Sequence, residues 1–212
     1  MILHGHVERY LGELRPPRDA LLAEIEAYAD EHGVPIAAPD TAALVAMLAR
    51  ASGARYVLEI GLALGYTALQ VARAVPDYAK VVSLEVDMHL AAVAKAFLAR
   101  DAAGARVEVL LGDARETLPG LREQFDLVFV DADKESYSQY VDLCLAHVRH
   151  AGVIVLDNML MGGCVARGEG DDHWSQAAVD AASALSRRLA ADPEFSYVVL
   201  PVGDGVGLLQ RR

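Results

Sequence analysis

Two apolar runs in this chain stop abruptly on carboxylates, one strand and one helix apart. The first is Phe129-Val130-Asp131-Ala132-Asp133-Lys134 and the second is Val153-Ile154-Val155-Leu156-Asp157-Asn158. A helical stretch joins them, so the two strands are expected to be parallel and adjacent. In open α/β sheets ligands bind at the carboxyl ends of the strands. Asp131, Asp157 and Asn158 then converge as three hard oxygen ligands, with Lys134 beside them. That set suits Mg²⁺, Mn²⁺ or Ca²⁺ better than a soft metal. Each residue also has a plainer duty available: Asp131 and Asp157 as helix caps, Asp133 as a solvated acid, Lys134 as an exposed charge. For any one residue the plain duty competes. For the set, in register with the features below, it does not.

A glycine loop stands upstream, Glu59-Ile60-Gly61-Leu62-Ala63-Leu64-Gly65-Tyr66-Thr67. Its spacing is G-x-x-x-G, which lacks the dinucleotide pattern that cradles a pyrophosphate. Gly61 permits a tight turn and close ligand approach. Glu85 ends the next strand, where an acid can accept hydrogen bonds from both hydroxyls of a ribose. A nucleoside without a pyrophosphate is the expected ligand, and a dinucleotide-dependent dehydrogenase is disfavoured. Asp113, in Leu111-Gly112-Asp113-Ala114, suits an adenine amino group, with the Ala114 amide on a ring nitrogen. It suits a helix N-cap equally well.

The elements that must position these residues read as helices first, then alternating strand and helix. Helices are expected over 18–32, stopped by Gly33, and from Asp40 as cap to Ala51. Strands are expected over 56–60, 81–85, 107–111, 127–130 and 153–156, with helices over 67–75, 88–103, 135–150 and 175–191. This alternation predicts an α/β fold, a doubly wound parallel sheet with helices on both faces. The end differs: strands over 195–202 and 206–210 flank Gly203-Asp204-Gly205. That is a hairpin signal, so the last strand should run antiparallel.

A chain of 212 residues, 54% hydrophobic and 23% charged, fits one domain with a sizeable core. Residues 1–53 are expected to form helices covering the site and 54–212 the core. Cys144 and Cys164 have no paired-motif spacing and read as reduced thiols. His147, His150 and His173 lack zinc spacing. Trp174, Met159 and Met161 are candidates for a pocket wall, with core packing the stronger expectation for the methionines. No signal peptide is expected from the first residues, and the uncharged stretch over 60–72 is too short to span a bilayer, so the expected location is cytoplasmic and no membrane partner is expected. The net charge of −11 opposes broad binding to phosphate backbones. Arg15, Arg18, Arg167, Arg187 and Arg188 are the clusters that could override it locally.

The stretches VLEIGLALGYTALQVA, VVSLEVD, LLGDARETLP, FDLVFVDADKESY, GVIVLDNML and LPVGDGVGLL resemble class I S-adenosylmethionine-dependent methyltransferases. More closely, they resemble the cation-dependent O-methyltransferases that include the catechol and caffeoyl-CoA enzymes. The resemblance implies a Rossmann-like seven-stranded sheet and S-adenosylmethionine as methyl donor. It implies Mg²⁺ (or Mn²⁺ or Ca²⁺) on Asp131, Asp157 and Asn158, and Lys134, with Asp131, in the catalytic role beside the acceptor hydroxyl. Glu59, Gly61, Thr67, Glu85, Ala114 and Asp131 match donor-contacting positions; Leu62 and Asp113 complete the candidate donor site. A small hydroxylated aromatic acceptor and a homodimer are the implied partners. The segment IEAYADEHGVPI, the ending LPVGDGVGLLQRR and the overall length are also similar to bacterial tRNA 5-hydroxyuridine methyltransferases. Where that group carries a basic run, over 168–178, this chain has Glu169, Asp171 and Asp172. That favours a small vicinal diol over tRNA. The acid that catechol methyltransferase places near its last strands has no counterpart around Val198. Leu62 and Leu64 replace smaller or hydroxylated loop residues and are expected to narrow the donor pocket.

Overall fold

The computed structural model describes residues 5–15 and 19–212. The expectations placed on Met1 to His4 and on Arg18 lie outside them. Seven strands form one sheet: β1 (Tyr56–Ile60), β2 (Lys80–Glu85), β3 (Val107–Leu111), β4 (Phe125–Val130), β5 (Val148–Leu156), β6 (Phe195–Leu200) and β7 (Val206–Arg211). The helices are α1 (Gly5–Glu13), α2 (Ala20–His32), α3 (Pro39–Ala51), α4 (Tyr66–Ala74), α5 (Met88–Leu98), α6 (Ala114–Thr117), α7 (Tyr137–Cys144), α8 (Cys164–Arg167) and α9 (Gln176–Ala191).

The strand order is β3-β2-β1-β4-β5-β7-β6. β1 pairs in parallel with β2 and β4, and β4 with β5. β7 inserts between β5 and β6 and runs antiparallel to both. The order reverses between β1 and β4, so the crevice where a doubly wound sheet takes its ligand lies at the ends of those two strands.

Period-two alternation divides the core. Leu58, Ile60, Val128, Val130, Ile154 and Leu156 face one side, packed with Tyr137, Val141, Cys144, Val179 and Leu185 of α7 and α9. Val57, Leu127, Phe129 and Val155 face the other, packed with Val45, Ala49, Ala68, Val71 and Ala94 of α3, α4 and α5. Both faces being covered explains why these strands read as continuous apolar runs. Leu22, Ile25 and Ala29 of α2 pack on Leu64, Leu69 and Phe97. The Asp19 carboxylate caps α2 through Leu21 N and Leu22 N, and Gly33 ends it in the left-handed conformation at φ 63°.

Four local expectations are corrected. Asp40 does not cap α3; Ala38 holds that position, and both Asp40 oxygens take the Arg15 guanidinium at 2.7 and 2.6 Å. The helix expected to reach residue 103 stops at Leu98, because Gly104 lies against the Leu98 carbonyl and Asp101 caps a separate turn through Ala103 N. The helix expected to reach residue 150 stops at Cys144, since β5 already begins at Val148 and pairs with Phe125 across a register shift. β4 likewise starts at Phe125, two residues early. Each error falls at an element end, where a long-range pairing outweighs local propensity.

Candidate active site

The strand ends are tied together by backbone hydrogen bonds. Asp131 N donates to Ile60 O at 2.8 Å, Asp157 N to Val130 O at 3.0 Å, and Gly61 N to Leu84 O at 3.0 Å. The ends of β2, β1, β4 and β5 are thereby set side by side. Gly61 has φ 96°, and a Cβ there would lie 2.0 Å from the Asp131 carbonyl oxygen. Only glycine lets the loop after β1 pass this close to the acid-bearing end of β4.

A cavity of about 970 Å³ opens over these ends. It is lined by Gly61, Leu62, Thr67, Glu85, Asp113, Ala114, Asp131, Lys134, Asp157 and Asn158. Every site residue expected from the sequence therefore reaches it except Glu59, which is buried beneath. The segment 35–38 between α2 and α3, Tyr140, Trp174, Ser175, Ala178, Gly203 and Asp204 complete the wall. Sequence reading missed 35–38 and Tyr140, which carry no motif, and took Asp204 only as part of a turn. Leu62 lines the cavity, whereas Leu64 is fully buried in the cluster with α2.

Asp131 and Asp157 are not helix caps. Asp131 Oδ1 accepts from Lys134 Nζ at 2.7 Å, and the same ammonium donates to Tyr137 Oη at 2.8 Å. Tyr137 Oη donates onward to Val130 O at 3.1 Å, and burial holds its phenol well above the ordinary range, so it stays protonated. Lys134 is thus a fixed group with a side chain only 12% exposed. Capping falls to the exposed Asp133, which accepts from Ser136 Oγ at 2.5 Å. Asp157 is 2% exposed. Its carboxyl is pushed up to about 7, first by burial and then by the charge of Asp131, with Lys134 opposing.

Asn158 adopts φ 59°, a left-handed conformation that asparagine tolerates, and its N–H donates to Asp157 Oδ1 at 2.8 Å. Two crowded carboxylates and an amide oxygen, with one ammonium as counter-charge, are a donor set that a hard divalent cation fits. Among the described residues no group of three or more His, Cys, Asp or Glu offers a rival centre.

On the donor side, Glu85 accepts from Ala63 N at 2.8 Å and Asp87 N at 2.9 Å, which fixes its carboxylate at the cavity wall. Asp113 performs the cap duty, accepting from Arg115 N at 2.8 Å, and the Arg115 guanidinium holds its carboxyl below the usual range. Glu59 accepts from Ser83 Oγ at 2.6 Å; burial pushes its carboxyl up to about 8, with Asp131 and Glu85 adding to the rise. Its ground state at neutral pH is the neutral acid.

A family model described as O-methyltransferase matches residues 19–212. The chain belongs to that family. It is 32% identical to the catechol O-methyltransferase of Niastella koreensis, over 92% of this chain and 89% of that protein. It is 32% identical to the caffeoyl-CoA O-methyltransferase of Petroselinum crispum, over 78% of this chain and 72% of that protein. The crystal structure of the O-methyltransferase from Bacillus cereus in complex with SAH superposes with TM-score 0.85 at 28% identity, covering 98% of this chain and 97% of that one. The protein is an S-adenosylmethionine-dependent O-methyltransferase with a Rossmann-like fold.

The remaining features of this O-methyltransferase concern its rim. Asp171 accepts from His173 N and Trp174 N, both at 2.9 Å, and from Cys164 Sγ at 3.1 Å. These bonds bring its carboxyl down to about 2 and staple the loop that carries Trp174 to the cavity. Met159 and Met161 are buried core, as packing predicts, and Cys144 and Cys164 are free and buried. Of the arginines that could serve phosphate binding, Arg15 is held by Asp40, Arg167 bonds Cys164 Sγ at 3.2 Å, and Arg188 pairs with Asp142 at 2.8 Å.

Proposed function

We propose that this O-methyltransferase methylates one hydroxyl of a small vicinal diol of the catechol type, in dependence on Mg²⁺ or a similar hard cation. The observation that carries the reading is the crowded pair Asp131 and Asp157, with Asn158, on a cavity that Glu85 and Lys134 also face. In this reading Glu85 holds the ribose hydroxyls of S-adenosylmethionine, Asp113 and Ala114 meet the adenine, and Glu59, Gly61, Leu62, Thr67 and Asp131 shape the rest of the donor site. Asp131, Asp157 and Asn158 hold the cation. When bound, a divalent cation supplies Lewis acidity that eases ionisation of a hydroxyl and orients it.

The transfer itself is an in-line displacement. The acceptor oxygen forms a bond to the donor methyl carbon as the carbon–sulfur bond breaks, and sulfur leaves as a neutral thioether. The hydroxyl proton goes to Lys134 Nζ once that group, having released one proton to solvent, stands as the neutral amine; Asp131 and Tyr137 hold it at the site. Holding both reactants in one cavity supplies the orientation that makes the step fast. We infer that the described residues before β1 form a single domain with the core and cover this cavity; the lining by the loop 35–38, between α2 and α3, supports that. Among the described residues no helix is long and apolar enough to cross a membrane. A cytoplasmic homodimer is the working form we infer.

Among the described residues, seven carboxylates line the cavity against two Lys or Arg side chains, Lys134 and Arg115. That lining, and the engaged arginines, support a small acceptor over the phosphate-rich tRNA alternative. The test is methyl transfer from labelled donor to catechols, flavonoids, acyl-CoA phenols and undermodified tRNA. Catechols or flavonoids should turn over best. Turnover of tRNA far above every diol contradicts the reading.

A further inference from the structure

The loop between α8 and α9, residues 168–175, reaches the cavity through His173, Trp174 and Ser175. Its sequence is Gly168-Glu169-Gly170-Asp171-Asp172-His173-Trp174-Ser175. Trp174 is its one large apolar residue, so the loop cannot hold a shape by burying surface of its own. A single carboxylate closes it instead. Asp171 N donates to Trp174 O at 3.0 Å, and Asp171 Oδ1 accepts from His173 N and Trp174 N, both at 2.9 Å. Asp171 Oδ2 accepts from Cys164 Sγ at 3.1 Å, and Cys164 is fully buried at the start of α8. Arg167 Nη2 donates to the same sulfur at 3.2 Å. Gly170 lets the turn close, since a Cβ there would lie 2.6 Å from the Trp174 carbonyl oxygen.

These bonds fix where the indole stands. Ser175, the next residue, caps α9 through Ala178 N at 3.1 Å, and its hydroxyl donates to Glu135, the neighbour of Lys134, at 3.4 Å. Trp174 therefore lies on the Lys134 side of the cavity. The His173 ring meets the indole edge-on, with centroids 4.8 Å apart. A half-buried indole at a cavity wall offers a flat apolar face to an aromatic ring. A wall already in place binds more tightly than one that must be ordered on binding.

We propose that Asp171 is a positioning residue for the acceptor: by holding the loop between α8 and α9 it presents Trp174 as the wall on which the acceptor's aromatic ring lies. The inference rests on the small-acceptor reading above and deepens it. Affinity for the ring is set by a carboxylate that does not touch it. Without that carboxylate the loop opens, and apparent affinity falls by the fraction of time it stays closed. The chemistry at Lys134 and the hold on the donor are left as they were.

The experiment compares wild type with D171A, D171N, W174A and the double variant D171A/W174A. Methyl transfer to catechol gives KM and kcat, and calorimetry gives S-adenosylhomocysteine affinity. Fluorescence reports the surroundings of Trp174, the single tryptophan of the chain. D171A should raise KM roughly 10-fold, the scale of losing hydrogen bonds to a charged group, with kcat and S-adenosylhomocysteine affinity changing far less. Its emission should move to longer wavelength as the indole meets water. D171N keeps an oxygen for the His173 and Trp174 amides, so it should restore both KM and emission most of the way to wild type. W174A should raise KM at least as much as D171A, and adding D171A to it should change KM by less than about twofold, because the two act through one wall. An unchanged KM in D171A overturns the proposal and leaves the small-acceptor reading intact. A D171A effect that persists in full on top of W174A also overturns it, as does loss of S-adenosylhomocysteine binding in step with the rise in KM. Failure of wild type to methylate any diol overturns the small-acceptor reading and this proposal with it.

Discussion

At the scale of single residues, the site is a contest between burial and charge. Lys134 Nζ, 2.7 Å from Asp131, is the ammonium that offsets the crowding of Asp131 and Asp157. Removing it in Lys134→Met should lower methyl transfer roughly 10²- to 10⁴-fold, the range for a positioned proton acceptor, while donor binding by calorimetry persists. Equal loss of donor binding would make Lys134 a structural group. Glu59 gives a test that needs no substrate. Its folded carboxyl stands at about 8, above the ordinary value of 4.5, because it is buried. Between those values the unfolded chain has lost the proton and the folded chain keeps it. Raising pH from 4.5 to 8 therefore favours unfolding, and the effect is complete above 8. In Glu59→Gln this part of the pH dependence should vanish, so the variant should gain melting temperature over wild type as pH rises toward 8. Parallel melting curves from pH 5 to 9 would contradict an ionisable Glu59. Most of these residues were legible in the sequence, because strand ends that stop on Asp, Glu or Asn announce themselves. The place of Asp204 at the cavity was not, since Gly-Asp-Gly reads first as a turn, and which loop that turn packs against is decided by contacts distant in sequence.

Elements decide whether the residues meet. Gly61 lets the loop after β1 touch the end of β4, and a Cβ there would strike the Asp131 carbonyl at 2.0 Å. Gly61→Ala should destabilise the fold by at least about 1–3 kcal/mol, the usual cost of strained backbone, and weaken donor binding in the same variant. Melting curves and calorimetry check this; wild-type values for both would show that the loop relaxes freely. The parallel strands and the closing hairpin were legible because apolar runs and Asp-Gly turns are local signals. The corrected ends were not. The start of β5 is fixed by pairing of Val148 with Phe125. The end of α5 is fixed by Gly104 packed on Leu98. Asp40 gave up its cap role to Arg15, a partner 25 residues away. All three are decided by contacts distant in sequence.

For the whole molecule, alternation along the chain indicated a doubly wound sheet, but not the insertion of β7 between β5 and β6 that carries Asp204 to the cavity. Charge acts at this scale too. With a net charge of −11 and an acid-lined cavity, acceptor binding should be nearly independent of salt. A protein neutralising several phosphates would lose roughly 10³-fold or more in affinity between about 50 and 200 mM salt. A KM for catechol that stays flat across that range supports the small-acceptor reading, and a steep rise opposes it. The central claim is that Asp131, Asp157 and Asn158 hold a hard cation on which methyl transfer depends. Its most direct test is catechol methylation by protein stripped with EDTA, then supplied with Mg²⁺ or Mn²⁺, alongside Mn²⁺ calorimetry on wild type and Asp157→Ala. The account requires activity to vanish on stripping and return with either ion, and Asp157→Ala to lose Mn²⁺ binding while still binding S-adenosylhomocysteine. Full activity in the stripped protein, or undiminished Mn²⁺ binding by Asp157→Ala, would contradict it.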